Sequence, residues 1–165
     1  MPATPELDLI NHARELLVER GMAVLGTWAL LNLLVSGYYV ARTDARTVAH
    51  HFHLMNVGWN VVNALLAVWG ILSANPQHVA GLSLPESIAA QQRFEHILLL
   101  NAGLDLIYIA IGYWLRTRAP KAARPEQMEG YGRSVLLQGA FLTLCDAGFY
   151  LLYHQYAAQL LALNQ

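Results

Sequence analysis

A single cysteine, Cys145, occurs in 165 residues. One thiol excludes an internal disulfide, a CxxC redox pair and a thiolate zinc site built by this chain alone. Charge is scarce as well: Asp, Glu, Lys and Arg make up 13% of the chain, against about 25% in an average globular domain. A net charge of −1 leaves no basic surplus to displace counterions from phosphates, which excludes a nucleic-acid binder. Disorder needs low hydrophobicity and high net charge, and 56% of these residues are hydrophobic. The few charges are also unevenly spread. None lies between Gly21 and Ala41, and none between Thr47 and Pro85.

The chain is instead rich in long apolar runs. A spanning helix needs roughly 20 mainly apolar residues to cross a ~30 Å hydrocarbon core. Four segments meet that length: 21–41, 54–73, 97–115 and 134–153. The first two carry no charge, and the others carry one carboxylate each, Asp105 and Asp146. A soluble four-helix bundle would show a charged face every 3.6 residues, and these segments do not. The expected fold is therefore all-α: a polytopic membrane protein, an antiparallel bundle of four transmembrane helices forming one domain over 1–165. Residues 5–20, with Leu7, Ile10, Leu16 and Leu17 on one side, predict a separate interfacial helix ahead of the first span. They lack the basic start and apolar core of a signal peptide, so the first span is expected to act as an uncleaved anchor.

Loop charges set orientation. Arg42 and Arg46 follow the first span, and Arg116, Arg118, Lys121, Arg124 and Arg133 separate the third from the fourth. Both basic loops are expected in the cytoplasm, which places both termini on the non-cytoplasmic side of a cytoplasmic membrane. Tyr38, Tyr39, Tyr113 and Trp114 would mark the inner interface, and Trp69, Tyr150, Tyr153 and Tyr156 the outer one. Between spans two and three, Ser83-Leu84-Pro85-Glu86 has the pattern of a capping box with proline in the first turn. A third helix starting near Pro85 follows. Short connections predict that consecutive helices are neighbours. Gly58, Gly103, Gly139 and Gly148 are the expected points of close helix approach.

A short similarity recurs at an offset of 75 residues: Gly37-Tyr38-Tyr39-Val40-Ala41-Arg42-Thr43 against Gly112-Tyr113-Trp114-Leu115-Arg116-Thr117-Arg118, with Asn63 and Gln138 at the same offset. Parallel hairpin repeats would produce it. So would the coincidence of two aromatic–basic membrane edges.

The informative residues are the polar ones at membrane depth. Helical periodicity puts Asn101, Asp105, Tyr108 and Gly112 on one face of the third span, and Asn56, Asn60, Asn63, Ala67 and Gly70 on one face of the second. Trp28, Asn32 and Ser36 follow in the first span, and Gln138, Thr143, Asp146 and Tyr150 in the fourth. Lipid cannot satisfy such groups, so these edges are expected to face one another. Asn32, Asn63, Asp105 and Asp146 fall near the midplane and would share one layer. No lysine or arginine lies at that depth, so at least one acid is expected to be protonated or matched by a bound cation. Asn63, Tyr108 and Tyr150 are the expected hydrogen-bond partners of the protonated acid. The expected ligand, proton or ion site comprises Asn32, Asn60, Asn63, Asn101, Asp105, Tyr108, Gln138, Asp146 and Tyr150. A purely structural network of interhelical bonds is the competing reading.

Seven histidines fall into two groups. His50, His51 and His53 edge the second span on the basic-loop side, while His12, His78, His96 and His154 belong to the other side. Glu95, His96 and His154 are the set a transition metal would use, although their spacing matches no metal motif and a solvated polar collar explains them equally. No histidine lies within a span, as a b-type haem would need, and no nucleophile, phosphate-loop or dinucleotide motif occurs. No cofactor and no catalytic residue are assigned. Cys145 lies deep in the fourth span, where core packing is its expected role.

The pairing of NAGLDLIYIAIGYWLRTRA with GYGRSVLLQGAFLTLCDAGFYLLYH resembles a family of small bacterial integral membrane proteins with four predicted helices and no known function. The likeness runs from about Asn56 to His154 and centres on Gly103-Leu104-Asp105, Tyr108, Gln138-Gly139-Ala140-Phe141-Leu142 and Asp146. The resemblance implies a bacterial cytoplasmic-membrane setting and adds no activity. Three function classes stay open: a protein binding a small molecule or lipid in a midplane polar pocket, in a sensory or accessory role; a proton- or cation-coupled transporter or channel; and an enzyme acting on a lipid-like substrate. The first is favoured, since four helices make a pocket more readily than alternating access. The lipid bilayer is the expected partner, with a homo-oligomer compatible with so narrow a bundle.

The charge asymmetry makes the first prediction. A cysteine introduced at Lys121 will be shielded from an impermeant thiol reagent in intact cells, and one at Gln165 will be labelled; the reverse pattern overturns the orientation.

Overall fold

In hydrocarbon every backbone N–H and C=O must find its partner within the segment, so long apolar runs fold as helices. A computed structural model describes residues 5–74 and 79–163. It contains four long helices: α1 (Pro5–Arg42), α2 (Val48–Ser73), α3 (Leu84–Arg118) and α4 (Pro125–Ala162), with a 3-10 turn at Ala119–Lys121. All four are long and apolar enough to cross a membrane. Among the described residues there is no strand. His78 and Gln165 lie outside the described residues.

The helix ends follow local chemistry. The Thr47 hydroxyl accepts the His50 N–H at 3.2 Å, capping α2. Glu86 accepts from both the Ser83 N–H (2.9 Å) and the Ser83 hydroxyl (2.6 Å), so the expected capping box forms and α3 begins at Leu84. Those bonds hold the Glu86 carboxyl below the ordinary carboxylate range. Pro120 falls in the 3-10 turn and Pro125 opens α4, where a missing N–H costs nothing.

Residues 5–20 are helical, but no break separates them from the first span: α1 runs unbroken from Pro5 to Arg42. Glycine alone costs a helix only about 1 kcal/mol, too little to end one without a proline or a cap. Gly21 serves packing instead, since a Cβ there would run into the Phe149 ring of α4.

Two antiparallel hairpins, α1–α2 and α3–α4, make up the bundle, joined mainly through α4, which packs on α2 and less extensively on α1. The expectation of sequential neighbours fails for α2 and α3, which touch little. A ring contact between Trp59 and Tyr108, with centroids 4.9 Å apart, bridges them. Their connection, residues 74–83, is longer than the 43–47 and 119–124 connections, so it does not force a hairpin. Leu7, Ile10 and Leu160 cluster with Leu84 and Ile88. The start of α1, the start of α3 and the end of α4 therefore share one end of the bundle, the terminal end. The Arg42–Arg46 and 116–133 loops form the opposite, basic end.

Polarity runs inside out. Leu34, Leu65, Leu72, Leu100 and Leu144 are largely exposed, whereas Asn56, Asn60, Asn63, Asp105, Ser134 and Gln138 are buried. In water so much exposed apolar surface would aggregate; in lipid it is the solvated side. The chain is a multi-pass membrane protein.

Glycines set how closely α3 and α4 approach. A Cβ on Gly112 would lie 2.7 Å from Leu136 N and 2.9 Å from Gly132 O, and one on Gly139 would lie 3.0 Å from Asp105 O. Gly139 thus fulfils its expected role. Gly58, Gly103 and Gly148 do not, since each faces open space; helical phase points them outward rather than at a partner. Gly112→Ala will lower stability by about 1–3 kcal/mol through overpacking against backbone. Gly58→Ala will leave it unchanged or raise it by up to about 1 kcal/mol. Thermal unfolding in detergent compares the two.

Candidate functional site

The polar edges expected to meet in one layer separate into two sites, one where α4 meets α1 and α2 and one where it meets α3. On the side of α1 and α2 the hub is Asn56. Its Oδ1 accepts from the Ser134 hydroxyl (2.8 Å) and Gln138 Nε2 (2.9 Å). Its Nδ2 donates to Asn32 Oδ1 (3.2 Å) and Ser36 Oγ (3.3 Å). Gln138 Oε1 accepts from Trp28 Nε1 (3.0 Å) and Asn63 Nδ2 (3.4 Å). Asn60 donates to the Asn56 carbonyl at 2.8 Å. His53 Nδ1 lies 3.1 Å from Ser36 Oγ, and Trp28 stacks on Phe141 with centroids 4.0 Å apart. The network is buried and mostly closed on itself, with Asn60 Oδ1 left without a partner among the described residues.

Where α4 meets α3, Asp146 neighbours Asp105, close enough for each carboxyl to act on the other. Asp105 is buried, and no described donor is directed at its Oδ2. Two carboxylates offer each other only lone pairs, so this contact needs a proton or a cation between them. The amides expected beside the acids are elsewhere: Asn63 bonds Gln138, and Asn32 bonds Asn56 and its own helix at Trp28 O. Tyr108 sits against Trp59, and Tyr150 stacks on His154 with centroids 5.4 Å apart. None of Asn63, Tyr108 and Tyr150 bonds the acids. Asn101 makes no side-chain hydrogen bond among the described residues. Gln138 and Asp146 are eight residues apart on α4, about 12 Å along the helix and roughly 80° around it, so that one meets α2 and the other meets α3 nearer the terminal end.

A third polar cluster lies at the terminal end, where α1 reaches past its span. Arg14, buried, donates from Nη1 to the Ser87 carbonyl (2.9 Å) and Gln91 Oε1 (3.1 Å), and from Nη2 to Asn11 Oδ1 (2.6 Å) and Ser87 Oγ (2.9 Å). Gln91 Nε2 donates to Glu95 Oε1 (2.8 Å) and the Tyr153 carbonyl (2.9 Å). Glu95 Oε1 also lies 2.9 Å from His154 Nδ1. Of the suggested metal set only Glu95 and His154 meet. His96 is exposed on another face of α3, in a surface groove of about 460 Å³ with Arg93 and Leu100, and no group of three metal-ligating side chains forms among the described residues.

At the basic end Glu129 accepts from Arg133 Nε (2.7 Å) and Arg116 Nε (3.2 Å). Burial pushes the Glu129 carboxyl up, but the two arginines outweigh it and hold it below the ordinary range. A second surface groove, about 400 Å³, lies between Val48, Phe52, His53 and Arg133.

Asn56 stands outside the expected site, although its phase with Asn60 and Asn63 is the available signal. Ser36, Ser134 and Trp28 were equally legible by phase. Arg14, Ser87 and Gln91 gave no such signal, because a charged residue ahead of a span reads as solvated.

A family model described as a family of unknown function (DUF6992) matches residues 24–147. The chain belongs to this family. Searches of curated proteins and of solved structures return no match. The stretch shared with DUF6992 holds the whole Asn56 network and both aspartates, while Arg14, Tyr150 and His154 fall outside it.

The hub yields the third prediction. Asn56→Leu strands the Ser134 hydroxyl, the Gln138 amide and Asn32 at once, and will destabilise the bundle by about 1–3 kcal/mol. Asn101→Leu, with no bond to lose, will cost under about 1 kcal/mol. Denaturation in mixed micelles measures both.

Proposed function

We propose that this protein works through its carboxyl pair, binding and releasing a proton or small cation at Asp105 and Asp146 in proton- or cation-coupled transport across a bacterial cytoplasmic membrane. The observation that carries this reading is the contact itself: two acids held together in apolar spans, with no lysine or arginine at their depth. Ionisable groups are costly in a bilayer and are functional candidates by default. The Asn56 network reads as structural glue, because its members spend their hydrogen bonds on one another. Its closure also weakens the midplane pocket as a ligand site. Binding of a lipid or small anionic molecule draws on a different observation, the groove that presents His53 and Arg133 at headgroup depth. Both orientation and bacterial setting belong to this proposal, and no catalytic role is assigned.

Infrared spectroscopy of the protein in lipid tests the pair. Between about pH 5 and pH 9 a protonated carboxyl band, or one appearing only when cations are removed, is expected in the wild type and will be absent in Asp105→Asn. Asp105→Asn should keep the wild-type unfolding temperature and abolish any pH- or cation-driven flux in proteoliposomes. Two aspartates fully ionised at neutral pH without a bound cation would overturn the proposal.

A further inference from the structure

We infer that the ion exchanged by Asp105 and Asp146 is a proton, and that it travels between the pair and the terminal end along the α3–α4 seam, past Tyr150, His154 and Glu95. The inference rests on the pair being a proton or cation site and adds which ion it takes and from which side. Three observations carry it.

The first is a line of proton-carrying groups. Asp146, Tyr150 and His154 follow one another at four-residue intervals on α4, which stacks them along one face at about 6 Å per step. Tyr150 stacks on the His154 ring, and His154 Nδ1 meets Glu95 Oε1 at 2.9 Å. The His154 side chain is 57% exposed and that of Glu95 14%, so the imidazole stands at the mouth with a sheltered carboxylate behind it. Histidine is the side chain that ordinarily exchanges protons with water in the physiological range. A proton taken up by the imidazole passes to the Tyr150 phenol oxygen, and the phenol's own proton moves on to the Asp146 carboxylate, with water filling the intervals. One proton enters and one leaves each group, and no other reactant is consumed.

The second is that the same seam is closed in the other direction. From Asp105 toward the basic end, Gly139 and Gly112 bring the two backbones together, with Gly139 under Asp105 O and Gly112 against Leu136 N and Gly132 O. The Thr143 hydroxyl is spent on the Gly139 carbonyl at 2.7 Å, and Tyr108 turns toward Trp59. No chain of polar side chains leads that way among the described residues.

The third is the poverty of ligands. Hard cations take about six oxygens. The pair supplies four at most, the Asn63 amide and the Thr143 hydroxyl are committed elsewhere, and the Asn101 amide one turn away would bring only a fifth. A proton needs two.

The charged and titratable groups bearing on this line are few. Glu95 faces it from α3, and Cys145 lies beside the aspartates. Arg14 and Glu15 of α1 bear on the adjoining Tyr153. α2 carries no Asp, Glu, Lys or Arg.

Time-resolved infrared spectroscopy after a pH jump, on the full chain in lipid, reads the rate at which the Asp105-dependent carboxyl band responds. Tyr150→Phe keeps the ring stack and removes the hydroxyl; it will slow the response on the order of a hundredfold while the final band amplitude stays at the wild-type level. His154→Gln will slow it likewise, and Tyr113→Phe, on the lipid-facing surface, will not. Wild-type rates in both Tyr150→Phe and His154→Gln, with the band intact, would overturn the path and leave the carboxyl pair standing. Absence of the band from the wild type would overturn the pair and the path together.

Discussion

Hydrocarbon offers no hydrogen bonds, so each polar group inside this bundle must be answered by another part of the chain. That constraint decides which residues are buried. In a water-soluble bundle the interior would be leucine; here leucines line the outside and asparagine, serine and glutamine fill the middle. Apolar side chains gain nothing by leaving lipid for the interior, so the helices are selected by fit and by polar contact rather than by greasiness.

α4 carries most of that burden because it presents a different surface to each neighbour. Toward α1 and α2 it offers Ser134 and Gln138, which close on Asn56. Toward α3 it offers Gly132 and Gly139, which allow backbone contact, and then Asp146. The first surface holds the two hairpins together. The second keeps α3 in a register that leaves the two acids opposed. Both depend on α4 being continuous through its whole length, which it is.

Periodicity alone makes much of this legible. Trp28, Asn32 and Ser36 do meet Asn56 and Gln138, and the helix ends at Ser83 and Pro125 fall where local chemistry puts them. Phase within a helix, however, says nothing about which neighbour a face turns to. Hence the polar edges read as one layer, whereas α4 turns its amide to α2 and its acid to α3. The glycines show the same limit: Gly58, Gly103, Gly139 and Gly148 look alike in sequence, and only Gly139 touches a partner. Arg14 gives no signal of its place for another reason. Charge ahead of a span ordinarily belongs to water, and its burial follows from α1 continuing past the span to lie against α3.

That last feature bears on where the folding unit begins. The stretch shared with the family starts at residue 24, yet the guanidinium of Arg14 ties the first turns of α1 to Ser87 and Gln91. Gln91 in turn holds Glu95 and the backbone of α4 at Tyr153. A fragment trimmed to the family boundary would keep every transmembrane amide and both aspartates, and would still lose the clasp that fixes α3 against α4 at the terminal end. The opening helical turns thus belong to the packing of the bundle, which reaches beyond the stretch that marks the family.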